Sequence, residues 1–222
     1  MRRILAALRR GGWAAAARTV KARLNDGRFE RRLGVRTAGL VPIETLLVDW
    51  DGCHDYFPTA VDELGAVLAW LEPGPDDVFL DIGAGMGRAM IIAATFPFRR
   101  IQGLEISPEL CDLARANFAL CASTLSCEDL RVLEGDAAAL PIPDDVTVIY
   151  LYNPFHGDRL RRLFENIAAS LRAAPRSLHV LYNNPRHFEA IEHDLAWLER
   201  VHEMSGEYPW RIYRAQSSPG SP

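Results

Sequence analysis

Three glycines at alternate positions follow an acid in the run Asp81-Ile82-Gly83-Ala84-Gly85-Met86-Gly87-Arg88. Small residues at Gly83, Ala84, Gly85 and Gly87 let a backbone turn tightly and let a ligand press against it, and a following helix would present unpaired N–H groups. A glycine loop alone is a weak signal, because dinucleotide enzymes use G-x-G-x-x-G, but the spacing here is G-x-G-x-G. Further along stand Glu105-Ile106, Asp136-Ala137 and Asn153-Pro154-Phe155. An acid in the place of Glu105 can accept hydrogen bonds from both hydroxyls of a ribose. His156, Asp158, His54 and Tyr152 are the side chains nearby that could serve as a general base, and His156 adjoins the Asn-Pro-Phe run.

Such residues act together only if the fold gathers them. From Thr59 onward the apolar pattern alternates between short runs and helical stripes. Thr59 followed by Asp62 predicts a helix start, with Val61, Leu64, Val67, Leu68 and Leu71 on one face and Pro73-Gly74-Pro75 as the stop. Strands are expected at 78–80, 100–105, 130–133, 146–151 and 177–182. Helices are expected at 89–96, after Ser107-Pro108, through Leu160–Leu171, and at 187–195. Ser107 reads as a helix cap with Pro108 at the first helical position. The runs 198–204 and 210–214, joined through Gly206, predict a terminal antiparallel pair. The fold class is therefore α/β, a Rossmann-like doubly wound sheet, mostly parallel, whose ligand lies at the carboxyl ends of the strands. Each of the polar motifs falls at such an end.

The glycine spacing, with Asp81 two residues ahead of Gly83, resembles motif I of the class I S-adenosylmethionine-dependent methyltransferases. The likeness spans about residues 56–214. It implies S-adenosyl-L-methionine as cofactor, Glu105 at the ribose, Asp136 at the adenine amino group and Asn153 at the methyl-transfer position. Tyr56-Phe57-Pro58-Thr59 resembles the segment that such enzymes fold over the methionine end, with a hydrophobic staple as the alternative for the same residues. The implied cofactor-binding set is Tyr56, Thr59, Asp81, Gly83, Ala84, Gly85, Gly87, Glu105, Ile106, Asp136, Ala137 and Asn153. Arg88 either meets the cofactor carboxylate or is solvated. Asn153-Pro154-Phe155 resembles the [D/N]-P-P-[F/Y/W] motif of amino-methyltransferases, in which carbonyl groups hold the amine and the ring stacks on substrate, but it has one proline. Core packing of Phe155 is the alternative. The expected acceptor residues are Asn153, Pro154, Phe155 and His156. The implied reaction is methyl transfer to a small molecule or peptide, at nitrogen. A protein or RNA acceptor, and a cofactor-binding protein without catalysis, stay open.

Composition bounds these readings. The 222 residues, 49% hydrophobic and 24% charged, suit one domain with a sizeable core. No stretch reaches the roughly 20 apolar residues of a membrane span, and Arg9-Arg10 interrupt the apolar start too early for a signal peptide, so a cytoplasmic location is expected. Cys53, Cys111, Cys121 and Cys127 form no C-x-x-C pair, which predicts reduced thiols and no metal site. Charge is segregated: residues 1–36 hold eleven basic side chains against two acidic ones, a net of +9, so the remainder carries −13 of the overall −4. This basic arm reads as two short amphipathic helices broken at Gly11-Gly12, part of a covering segment 1–58 ahead of a methyltransferase domain 59–214 and a disordered tail 215–222. It is expected to be dispensable for cofactor binding, and a role in binding nucleic acid would make that binding salt-sensitive.

Overall fold

The computed structural model describes residues 13, 17, 20, 21, 24–42, 45, 46, 53–206 and 208–215. The Gly-Gly break and residues 216–222 of the expected tail lie outside the described residues, while Ala215, assigned to that tail, is instead buried as the last residue of the final strand. The described part of the arm is helical over residues 24–33 (α1), ending at Gly34, whose φ of 71° is the left-handed conformation that closes helices.

Seven strands follow: β1 (Val78–Ile82), β2 (Arg100–Glu105), β3 (Leu130–Glu134), β4 (Val148–Tyr152), β5 (His179–Asn183), β6 (Leu198–Met204) and β7 (Trp210–Ala215). The helices between them are α2 (Val61–Leu71), α3 (Arg88–Ala93), α4 (Pro108–Cys121), α5 (Asp158–Ala173) and the short α6 (Glu189–Glu192). One sheet contains all the strands in the order β3-β2-β1-β4-β5-β7-β6. β1 to β5 run parallel, and β7 enters antiparallel to both β5 and β6. The chain reverses its direction of travel across the sheet between β1 and β4, and this switch point opens a crevice at the strand ends.

The expected doubly wound architecture is observed. Ser107 caps α4 as its sequence suggests, its Oγ accepting from the Leu110 N–H at 3.2 Å. The cap expected at Thr59 is absent: α2 starts after Ala60 without a side-chain cap. Thr59 instead shares a 2.9 Å hydrogen bond with the Tyr150 hydroxyl beneath it.

The sheet divides two cores by strict alternation. Phe79, Ile101 and Tyr150 face α2, α3 and α4, while Val78, Leu80, Ile82, Ile149 and Leu151 face α5. Asp81 and Glu105 share the parity of Phe79 and Ile101, so both acids emerge on the first face. Phe29, Leu33 and Val35 of the arm are buried in that same core, so residues 29–35 belong to its packing. No helix among the described residues is long and apolar enough to cross a membrane.

Candidate functional site

A cleft of about 850 Å³, open mouth included, lies at the switch point. Its lining includes Thr59, Asp81, Gly83, Ala84, Glu105, Ile106, Asp136, Ala137 and Asn153-Pro154-Phe155, with Tyr56 as part of the roof. Residues from four successive strand ends thus converge, as their spacing predicts. Gly85, Gly87 and His156 are outside the lining.

The two glycines act from behind. Gly85 has φ 54°, and a Cβ there would lie 2.2 Å from the Tyr56 ring. Gly87 has φ 80°, and a Cβ there would meet Phe118 at 2.5 Å. Both positions therefore exclude side chains for conformation and for space. The Tyr56 hydroxyl donates to the Thr37 carbonyl at 2.7 Å, which pins the ring over the loop.

Glu105 ties the floor together. One carboxylate oxygen accepts from the Gly85 N–H at 2.7 Å and the other from the Ser107 N–H at 2.9 Å. The Ile106 N–H is a third backbone donor to this carboxylate, whose four lone-pair sites leave room for a further donor. Burial raises the Glu105 pKa against the pull of these N–H donors. Asp81 is buried beside it and is pushed well above the usual carboxylate range, by burial first and then by Glu105. Two buried acids side by side make the cleft favour ligands that bring hydrogen-bond donors. Asp136 accepts from the Ala138 N–H at 2.9 Å and pairs with Arg159 at 2.7 Å. Arg159 also lines the cleft. Sequence reading missed it, since it stands 23 positions from Asp136 on a face of α5 that otherwise reads as solvated.

Arg88 is not solvated: it is 1% exposed, lines the inner wall of the cleft and is held by bonds within the chain. Its Nε donates to the Thr59 carbonyl at 2.8 Å and one terminal nitrogen donates to Thr37 Oγ1 at 2.9 Å. The other pairs with Asp26 of α1, and the guanidinium carbon lies 5.2 Å from the Phe29 ring centroid. Arg36 and Asn117 of α4 bond reciprocally, and Asn117 also reaches the Met86 carbonyl. The arm is thereby clasped onto the helix that follows the glycine loop.

At the end of β4, Asn153 takes φ 41°, a left-handed conformation that asparagine tolerates better than most residues. Its Oδ1 is buried and has no hydrogen-bond partner among the described residues. The Pro154 carbonyl accepts from the His54 N–H at 3.1 Å, and Cys53 bridges Phe155, so residues 53–56 run over this loop. Phe155 is 5% exposed and packs into the α5 core. Phe155→Ala is therefore expected to lower stability by about 3–5 kcal/mol in urea denaturation. A raised KM with unchanged stability would return the ring to the substrate.

The family model of a methyltransferase domain matches residues 79–174. No curated protein matches the sequence. Among solved structures, an RNA methyltransferase from Salinibacter ruber in complex with S-adenosyl-L-homocysteine is similar at 22% identity and TM-score 0.57, covering 74% of this chain and 96% of its own. A ribosomal protein L11 methylase from Lactobacillus delbrueckii subsp. bulgaricus shares 19% identity at TM-score 0.51, over 72% of this chain and 78% of its own. A TehB-like S-adenosylmethionine-dependent methyltransferase from Corynebacterium glutamicum shares 17% identity at TM-score 0.50, over 69% of this chain and 87% of its own.

Proposed function

We propose that the chain is a class I S-adenosylmethionine-dependent methyltransferase whose acceptor is an amine of a small molecule or peptide, held at Asn153. The observation that carries this reading is the buried, unpartnered Asn153 Oδ1 at the end of β4. A buried acceptor without a partner is costly, and a donor arriving with the substrate removes that cost. An amine N–H is such a donor, and by giving it to Oδ1 the amine keeps its lone pair directed elsewhere, toward the methyl group. The Pro154 carbonyl already accepts from the His54 N–H, whereas the Asn153 side-chain oxygen has no partner among the described residues.

The cleft fits the cofactor. Gly83 and Ala84 form a floor that a ligand can approach closely, and a Cβ on Gly83 would sit 3.1 Å from Pro154. Glu105 retains room for a further donor from a ribose hydroxyl, and Asp136 stands after β3 where an adenine amino group would be met. When bound, S-adenosylmethionine supplies an electrophilic methyl group on a sulfonium. The chain's own residues supply position: Asp81, Glu105 and Asp136 hold donors, Tyr56 roofs the loop against water, and Asn153 orients the nucleophile.

The test is to incubate the full chain with cofactor and a host extract and to identify compounds that gain the mass of one methylene. An N-methylated small molecule or peptide is expected. Methylation at oxygen or carbon, or salt-sensitive labelling of RNA alone, would overturn the amine reading.

A further inference from the structure

Beside the acceptor loop, three histidines from three separate segments meet. The His54 ring lies 5.3 Å from that of His156 and 5.6 Å from that of His187, and His156 and His187 are 5.1 Å apart between centroids. His54 precedes α2, His156 follows β4 and His187 follows β5, so the fold, not local sequence, brings them together. His54 lines the cleft with Asn153, and its backbone N–H is bonded to Pro154. His156 and His187 are exposed. Arg186 adjoins them, its Nε donating to Asn184 Oδ1 at 3.1 Å.

Some arginines of the body stand against acids, Arg99 and Arg100 on Asp145 and Arg161 on Asp194, while others, such as Arg162 and Arg172, form no ion pair among the described residues. Among the described residues the Arg186 guanidinium has no carboxylate within ion-pair distance. The groups acting on His54 are His156, His187 and Arg186, with Asp55 as the one acid. His54 Nε2 is buried without a hydrogen-bond partner among the described residues. Its pKa is lowered by burial first, then by the neighbouring histidines. Arg186 and three imidazoles crowded on one rim, with Asp55 as the one acid among them, present a concentration of N–H donors that suits an anion. The described residues hold no group of His, Cys, Asp or Glu side chains arranged to bind a metal ion.

We propose that this rim is an anion subsite that takes a phosphate or carboxylate group carried by the acceptor, with Arg186, His156 and His187 touching it and His54 acting through them. Resting on the amine reading, the proposal makes the substrate a small anionic amine, its nitrogen at Asn153 and its charged end at the rim. His54 joins the two ends, lining the cleft and lying in ring contact with His156 and His187.

The test uses the full chain with S-adenosylhomocysteine bound, following the histidine ring signals by NMR during titration with inorganic phosphate and, separately, acetate. Saturable shifts of all three histidines are expected. The stronger of the two probes identifies the kind of anion. Arg186→Gln is expected to weaken binding roughly tenfold, as loss of a charge-assisted contact would, without changing S-adenosylhomocysteine affinity. Shifts that never saturate and are matched by chloride, or that persist unchanged in Arg186→Gln, would overturn the subsite. Among amines that prove to be substrates, those with an anionic group should show the lower KM, and Arg186→Gln should erase the difference. Equal methylation of neutral and anionic amines would refute the subsite and leave the amine reading intact. Saturable phosphate binding with no amine methylated would support the subsite and defeat the amine reading.

Discussion

Asn153→Ala is expected to cut turnover by about 100-fold while leaving S-adenosylhomocysteine affinity nearly unchanged. An acceptor misplaced by about an ångström at the moment of transfer loses a factor of that order. The amide oxygen is the unpartnered group in the acceptor loop, so its removal takes away orientation, and the effect appears in kcat. The backbone adds a second consequence. Alanine at φ 41° is strained by roughly 1–2 kcal/mol, so this variant is also somewhat less stable. Asn153→Gly removes the strain and the oxygen together, and its turnover should be as low as that of the alanine variant. Asn153→Asp keeps an oxygen at the same place and should retain more activity than either. Full turnover in Asn153→Gly would show that the position serves only the turn.

Arg88→Met is expected to destabilise the protein by about 3–5 kcal/mol at neutral pH, the usual cost of removing one partner of a buried pair. The variant loses the bonds to Thr59 and Thr37 and leaves Asp26 with an unmatched charge. The Asp26 pKa is already raised, because burial outweighs the attraction of Arg88. A carboxyl that binds protons more tightly when folded loses stability as pH rises through its folded value and regains it as pH falls. Without Arg88 that rise in pKa grows, so the deficit of the variant should narrow at pH 5 and widen at pH 8. Urea midpoints of both proteins at the two pH values measure this directly. The arm of the variant should also become sensitive to protease near Asp26. A deficit independent of pH would mean that lost packing against Phe29, not charge, explains it.

Much of this site was legible because its pieces are local. A glycine loop, an acid at a strand end and a helix cap each occupy a few consecutive residues, and alternation of strands and helices dictates that strand ends converge. The contacts that were not legible join residues far apart. Arg88 and Asp26 are separated by 62 positions, and nothing around Asp26 marks it as the partner of a buried cation. Thr59 looked like a cap because threonine before an acidic first turn usually is one, yet a tyrosine hydroxyl from β4 competes for the same oxygen and wins. Phe29, Leu33 and Val35 carried no signal of their burial, because apolar residues near a basic arm do not say what they will be buried against. Phe155 remained ambiguous for the same reason: an aromatic after a proline reads alike over a ligand or in a core, and burial decides it.

The clasp also sets an order in time. Asp26 is synthesised 62 residues before Arg88, and Arg36 81 residues before Asn117. At roughly 5–20 residues per second, the second interval lasts about 4–16 s. Until α3 and α4 exist, Phe29, Leu33 and Val35 have no surface to cover, so the segment made earlier is placed later. Throughout that wait the nascent chain carries the +9 of residues 1–36, and like-charged arms on neighbouring ribosomes repel each other while their apolar faces are still bare.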